Sequence, residues 1–176
     1  MRYDEELPPE YRGALEKEGA QALRTFVENG GTLLAFSAAC DYVIENFNVP
    51  VRNALARVPA SEFSVPGSLV RVHVNEHPVT ATLPPEIAIY IDRNVAFETT
   101  VPGNEMQRWV LMSYPEDPRD ILLSGWINGA DHLTRKAAAV AMTYGKGRIV
   151  LYGFHPQHRG QTHATFPMLV NAIWWK

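Results

Sequence analysis

The first part of the chain changes from a helical period to a continuous apolar run. Apolar residues three, four and seven positions apart predict a helix over residues 15–28, with an apolar stripe made of Leu15, Ala22, Leu23, Phe26 and Val27. The glycine pair Gly30-Gly31 ends this helix. The run "TLLAFS" that follows is typical of a parallel strand buried on both faces. The order predicted here is helix, then buried strand.

The middle of the chain predicts strands separated by turns. A second, short helix, "AACDYVIENF", ends before Pro50, and residues 51–66, which contain two further prolines, are interpreted as a connecting loop. The segment "SLVRVHV" alternates apolar and polar residues, as a half-exposed strand does. Further strands are predicted at "EIAIYI", "VAFETT" and "RWVLMSY".

The last part of the chain combines a hairpin with a closing helix. "KAAAVAMTYGKGRIVLYGF" predicts two strands joined at residues 145–147. After the polar segment "FHPQHRGQTHATF", Thr162 or Thr165 would cap a helix, whose apolar stripe is predicted as Phe166, Leu169, Val170 and Ile173. The whole pattern predicts an α/β fold with a strand-rich second half. In open α/β sheets, sites lie at the carboxyl ends of strands, facing helix N-termini.

Composition and charge narrow the function classes. A chain of 176 residues with 46% apolar residues predicts a single globular domain over residues 1–176. The net charge of −3 and the absence of a basic cluster argue against nucleic-acid binding. No apolar run is long enough for a membrane span. One cysteine excludes an internal disulfide, and the acidic, proline-rich N-terminal sequence lacks a signal-peptide pattern.

Four blocks of the sequence carry a family resemblance. They are "GKGRIVLYGFHPQHRGQTHATFPMLVNAIWW", "GAQALRTFVENGGTLLAFSAACDYVIENFNVPVRN", "VPGSLVRVHVNEHP" and "LLSGWINGADHLTRKAAAVAM". Together they resemble the class I glutamine amidotransferase-like domain found C-terminal to zinc carboxypeptidases of the carboxypeptidase A type. The resemblance implies a flavodoxin-like three-layer sandwich. No cofactor is predicted. The resemblance also implies that upstream strands and a peptidase domain precede this region in relatives, which makes the chain a fragment or a shortened version, accessory to a secreted or periplasmic parent.

The resemblance directs attention to Cys40 and His155, because active amidotransferases use a cysteine nucleophile on a strand-to-helix elbow and a histidine after a strand. The elbow falls nearer Ser37 or Ala38 when counted from the strand, so Cys40 is expected inside the helix, as a small core residue. Gln157 stands where active enzymes carry the glutamate of the triad. The sequence therefore predicts a degenerate, non-catalytic site. The alternative is a cysteine-dependent amidotransferase or hydrolase that uses Cys40 and His155.

The remaining candidates are a ligand-binding site, two histidine patterns that could suggest zinc, and the tryptophans. A small-molecule or anionic ligand is predicted near the last helix N-terminus, with candidates Ser37, His155, Gln157, Arg159 and Thr162. A zinc site is not predicted: the histidines at 155, 158 and 163 match no zinc spacing, and the His73–Glu76 pair lies in a strand and turn. Trp126 lies in a predicted loop. It is expected either to line a pocket or partner surface or to pack over the edge of the sheet. One ring of Trp174-Trp175 is expected to pack inward.

Overall fold

A computed structural model describes residues 8, 15, 17–93, 95–103 and 105–175. Its three α-helices are α1 (Lys17–Glu28), α2 (Ala39–Phe47) and α3 (Phe166–Trp174). Its strands are β1 (Thr32–Phe36), β2 (Val51–Asn53), β3 (Ser68–Val74), β4 (Glu86–Ile91), β5 (Phe97–Thr99), β6 (Arg108–Ser113), β7 (Leu122–Ser124), β8 (Ala137–Tyr144) and β9 (Gly147–Tyr152). Short 3-10 turns connect several of them.

The strands form one mixed sheet, whose main path runs β1-β9-β8-β6-β3-β4. Strands β1 and β9 pair in parallel, with Phe36 opposite Tyr152, and the other described pairings are antiparallel. The predicted hairpin is present as β8 and β9, which meet at Tyr144 and Gly147. The described elements therefore confirm an α/β fold with a strand-rich second half.

Helices cover both faces of the sheet and produce two apolar cores. On one face, Val27 of α1 and Val43 of α2 pack with β1, β8 and β9. On the other face, Met168 and Ala172 of α3 join the core formed by the central strands. Alternate residues of β9 point into opposite cores, so this strand is buried on both sides, as its continuous apolar run predicts. The arrangement is the three-layer sandwich implied by the resemblance.

Three details in the first part of the chain correct the sequence prediction. Helix α1 begins at Lys17, and Leu15 and Phe26 of its predicted stripe are more than half exposed while Val27 is fully buried. Strand β1 lies at an edge of the sheet, where most of its residues are only half-buried. The predicted loop over residues 51–66 contains strand β2, which pairs with β5.

The closing helix is also rotated from its predicted orientation. Met168 and Ala172 are its fully buried residues, whereas Val170 and Ile173 are 54% and 65% exposed. The predicted stripe is wrong at Val170 and Ile173, whereas Phe166 and Leu169 are half-buried and Leu169 packs against the core. Trp175, the residue after the helix, packs inward as well. Thr165 does occupy the position before the helix, but its hydroxyl donates to the Pro156 carbonyl and caps no amide.

No helix in the described part of the chain is long and apolar enough to cross a bilayer.

Candidate functional site

The candidate crevice lies where β1 and β9 end side by side. Because the two strands are parallel neighbours, Ser37 and Gly153, the first residues after them, lie at the same sheet edge. The Ser37 amide donates to the Tyr152 carbonyl over 2.8 Å, which ties the two strand ends together. The site is thus built from the β1–α2 turn and the segment that follows β9.

Ser37 occupies the strand-to-helix elbow. It has a φ of +49°, a conformation that non-glycine residues rarely adopt, and α2 begins two residues later. Its side chain is 2% exposed, and the hydroxyl makes no hydrogen bond to any described residue, His155 included. Strand counting placed the elbow at Ser37 or Ala38, and the left-handed residue is Ser37. Ser37 therefore has the left-handed backbone expected at the tip of a nucleophile elbow. Its hydroxyl is buried and has no hydrogen-bond partner among the described residues.

Cys40 lies inside α2 and away from the elbow tip. Its side chain is fully buried, and its thiol donates to the Ala35 carbonyl (3.4 Å) and the Tyr152 carbonyl (3.2 Å). Burial, helped by the neighbouring Asp41 carboxylate, raises the pKa of the Cys40 thiol far above its ordinary value. The thiolate required of a nucleophile is therefore disfavoured at neutral pH.

The end of β9 is covered by another part of the chain. Gly153 is buried, and a Cβ placed on it would lie 2.8 Å from the Val95 carbonyl oxygen and 3.1 Å from that of Ala138. Val95 and Ala96 are themselves buried. Only glycine fits at this position, because the backbone of the covering segment approaches so closely. Part of the volume beside the strand end is thus filled by protein.

The segment after Gly153 is held mainly by its own hydrogen bonds. The hydroxyls of Thr162 and Thr165 both donate to the Pro156 carbonyl, and the Thr165 hydroxyl also lies 2.8 Å from the Thr162 carbonyl. His155 is half-buried, whereas Gln157 and Arg159 are exposed. Arg159 has a φ of +47° at the loop tip. The ligand-binding roles of Ser37, His155, Gln157, Arg159 and Thr162 stay predictions, and Thr162 has a structural partner as well.

The other two histidines of this segment point to separate partners. The His158 ring stacks on Tyr90, with ring centroids 3.9 Å apart, and the His163 ring nitrogen Nε2 donates to the Gly160 carbonyl over 2.9 Å. Within residues 17–93, 95–103 and 105–175, no group of three or more His, Cys, Asp or Glu side chains is placed to hold a metal ion. The His73 ring faces Glu86 across the β3–β4 pair, at 3.2 Å.

Sequence reasoning missed a polar junction beside α2. The Asn53 side chain accepts from the Leu55 and Ala96 amides and donates to Asp41 in the first turn of α2. An open cavity of about 540 Å³ lies next to it, lined by Asp41, Ile44, Glu45, Arg52, Asn53, Leu55, Ala56 and Val58. An asparagine two residues before the amide it accepts from is a turn motif visible in sequence, but its distant partners are not.

The tryptophans divide between core and surface. Trp175 is 8% exposed and packs edge-on against Trp109 and His77, with Arg148 5.5 Å above its ring, so one ring of the C-terminal pair does pack inward. Trp174 is 72% exposed. Trp126 is 55% exposed, and both its backbone amide and its carbonyl are bound by the Ser68 hydroxyl.

Comparison with known proteins places the fold. No family model matches the sequence, and no curated protein does. Among solved structures, a Thermoplasma acidophilum protein assigned as a subunit of GMP synthase shares 15% identity and a TM-score of 0.52, over 90% of this chain and 64% of that one. A cytoplasmic protein from Salmonella typhimurium shares 14% identity and a TM-score of 0.51, over 94% and 63%. A ThuA-like protein from Bacteroides uniformis shares 17% identity over 93% and 65%, with a TM-score of 0.49.

The chain therefore has the glutamine amidotransferase-like α/β fold, of the flavodoxin-like class. It spans less than two thirds of the length of each of these solved structures. At identities below 20%, the likeness concerns the fold alone.

Proposed function

We propose that the chain is a non-catalytic amidotransferase-like domain that acts as an accessory, ligand- or partner-binding module. The observation that carries this proposal is the elbow itself. Its tip residue, Ser37, has a buried hydroxyl without a base, while the thiol that an amidotransferase would need lies buried in α2. A nucleophile needs a neighbouring base or a depressed pKa, and neither Ser37 nor Cys40 has one among the described residues.

The covered strand end supports the same conclusion. A substrate carbonyl would have to approach the elbow from the carboxyl edge of the sheet, next to the Gly153 position. There the backbone of the segment at Val95 lies so close that a Cβ on Gly153 would be 2.8 Å from the Val95 carbonyl oxygen, so protein fills part of the space beside the strand end. Gln157, at the position of the acid in active enzymes, is exposed and carries no charge to stabilise an imidazolium.

The partner in this proposal is the zinc carboxypeptidase domain implied by the sequence resemblance. Support comes from the four sequence blocks alone, which resemble the version of the domain attached to such peptidases. The parent is accordingly expected to be secreted or periplasmic. Measuring the binding of a purified carboxypeptidase A-type catalytic domain to this chain by calorimetry tests the partnership, and the absence of heat at micromolar concentrations would remove it.

Activity is tested separately from partnership. The intact chain is incubated with glutamine while ammonia is measured, and then with 6-diazo-5-oxo-norleucine, a glutamine analogue that alkylates amidotransferase cysteines. We expect no ammonia and no mass increase. An adduct on Cys40 that disappears in Cys40→Ala would instead establish the cysteine-dependent alternative with His155 as base.

A second candidate function is a serine hydrolase, and the left-handed conformation of Ser37 favours it. Strained backbone persists where surrounding structure enforces it, often at active sites. The hydrolase would require a rearrangement that brings a base such as His155 to the Ser37 hydroxyl, which has no hydrogen-bond partner among the described residues. A fluorophosphonate probe distinguishes the candidates: labelling of the wild type but not of Ser37→Ala supports the hydrolase, and unlabelled protein supports the binding module.

A further inference from the structure

Two adjoining cavities near the pairing of β2, β5 and β8 collect basic side chains. The first has a volume of about 340 Å³ and is lined in part by Arg52 and Arg57. The second has a volume of about 300 Å³ and is lined in part by Arg135 and Lys136. Glu98 lines both, and we call the two cavities together the basic cleft. Four cations around one carboxylate give the cleft an excess of positive charge, although the whole chain has a net charge of −3.

The contacts of Glu98 show that two of these cations converge on one oxyanion. Glu98 lies opposite Arg52 in the β2–β5 pair, and its two carboxylate oxygens bind different groups, the Arg52 guanidinium and the Lys136 ammonium. The hydrogen bond from Lys136, supported by Arg52, holds the pKa of Glu98 below its ordinary value. The cleft is therefore a place where a negative charge is stabilised.

Arg57 adds a cation without a partner. Its guanidinium makes no hydrogen bond or ion pair with any residue that the structure describes. The turn that carries Arg57 is fixed, because the Asn53 side chain accepts from the Leu55 amide and the Val58 amide donates to the Leu55 carbonyl. Guanidinium groups present forked N–H donors that match the oxygens of a phosphate. Arg57 thus supplies donors beside the cavity that it shares with Arg52.

Acidic groups limit the cleft at both ends. Asp41 and Glu45 line the neighbouring cavity on the α2 side. At the other end, Glu116 forms an ion pair with Arg135 over 3.0 Å. The least compensated positive charge therefore lies in the cavity between these ends, beside Arg57. Such an arrangement suits a small anion, because a long polyanion would meet the acidic groups.

We propose that the basic cleft binds a small oxyanion of the phosphate type, either free phosphate or the phosphate group of a small molecule. Arg57 and the N–H groups of Arg52 that Glu98 does not use donate to its oxygens, and Lys136 adds a further attraction. Glu98 repels the ligand and lowers its affinity. The proposal names a ligand class for the binding module proposed above, at a site that shares no residue with the elbow.

Calorimetric titration of the chain with inorganic phosphate, at about pH 8 and constant ionic strength, measures the dissociation constant. We expect a value of about 1 mM. Arg57→Gln should raise this constant about fivefold, and Glu98→Gln, which removes the opposing charge, should lower it about fivefold. Arg119→Gln is the matched control, because it removes the same charge from an exposed side chain outside the cleft and should not change the constant. Circular dichroism checks that each variant is folded.

The same titration with phenyl phosphate distinguishes the two sources of the anion. Tighter binding than that of inorganic phosphate assigns the cleft to the phosphate group of a larger molecule, and weaker binding assigns it to free phosphate. The absence of heat up to about 10 mM inorganic phosphate, ten times the expected constant, overturns the proposal. A constant for Arg57→Gln no larger than that for Arg119→Gln overturns it as well, since binding would then take place outside the cleft. Neither result bears on whether the elbow is catalytic, which the glutamine assay tests separately.

Discussion

Ser37 combines two unfavourable features at one residue. A left-handed backbone is disfavoured for a residue with a Cβ, and a buried hydroxyl without a hydrogen bond loses its interaction with water. Cys40, three residues later, has the opposite character, since its thiol is satisfied by two carbonyls. The residue that retains elbow geometry is therefore not the residue with sulfur chemistry.

Replacing Ser37 by glycine should stabilise the protein. Ser37→Gly removes both the left-handed penalty and the orphan hydroxyl, and these gains exceed the added backbone entropy of glycine in the unfolded state. We expect the free energy of unfolding in urea to rise by about 1 kcal/mol. Ala35→Gly, in ordinary strand conformation two residues earlier, is the matched control and should lower it. A less stable Ser37→Gly protein would contradict the strain assigned to the elbow.

His77 is the residue that should make stability depend on pH. Its ring nitrogen Nδ1 accepts from the Val79 amide, and the ring packs against Trp175 and Trp109. Burial lowers the pKa of His77 below its ordinary value of 6.5. The unfolded chain therefore takes up the proton first as pH falls. The contribution of His77 to the free energy of unfolding is therefore fully present above about pH 7.5. It decreases as the pH falls through about 6.5 towards the pKa of His77 in the folded protein.

The measurement is the urea unfolding free energy of the wild type and His77→Asn at about pH 7.5 and about pH 5.5. Asparagine can accept from the same amide but does not titrate in this range. We expect a smaller decrease for the variant. Equal decreases in both proteins would assign the pH effect to titratable groups other than His77.

At the scale of elements, α3 shows how a tertiary contact selects a helix face. Its sequence is apolar almost all round, so periodicity does not define a single buried stripe. The indole of Trp175, held by Trp109 and His77, and the hydrogen bond from the Tyr152 hydroxyl to the Met168 carbonyl fix which side turns inward. The outward side then carries Val170 and Trp174.

This rotation has a measurable consequence. Met168→Ala should lower the free energy of unfolding by about 3 kcal/mol, because it leaves a cavity in a fully buried position. Val170→Ala should change it by less than about 0.5 kcal/mol, because that side chain is exposed. The predicted stripe, in which Val170 faces the core, requires a large loss for Val170→Ala, so the pair of variants decides between the two orientations.

At the scale of the whole molecule, Cys40 reports on global unfolding. The thiol is fully buried between β1, β9 and α2, so we expect a reagent to reach it only when these elements separate. We expect native alkylation by iodoacetamide at about pH 8 to be at least about a thousandfold slower than for a model thiol. It should approach the model rate in urea at the unfolding midpoint. Val101→Cys, made in a Cys40→Ala background, should label at the model rate. Fast labelling of native Cys40 would contradict its assigned burial.

The sequence alone determined the order of the main elements and the α/β class. Period and run length identify β9 and the β8–β9 hairpin because those segments are buried on both faces or joined by a glycine turn. The position where the predicted strand ends also located the elbow near Ser37. A change from strand to helix can be read from neighbouring residues alone, because it appears as a change in the spacing of apolar residues. The resemblance gave the fold, and the solved structures bear it out.

The tertiary structure decided which of these elements meet and where they stop. The edge position of β1, the face of α3, the closure of the β9 end by Val95 and the unpaired Ser37 hydroxyl all depend on segments far apart in sequence. The pattern of apolar and polar residues along a segment indicates whether a side chain prefers burial. It does not indicate which distant residues will cover that side chain. Burial and hydrogen bonding are set by contacts between distant residues, and these contacts distinguish an elbow with a working nucleophile from one without.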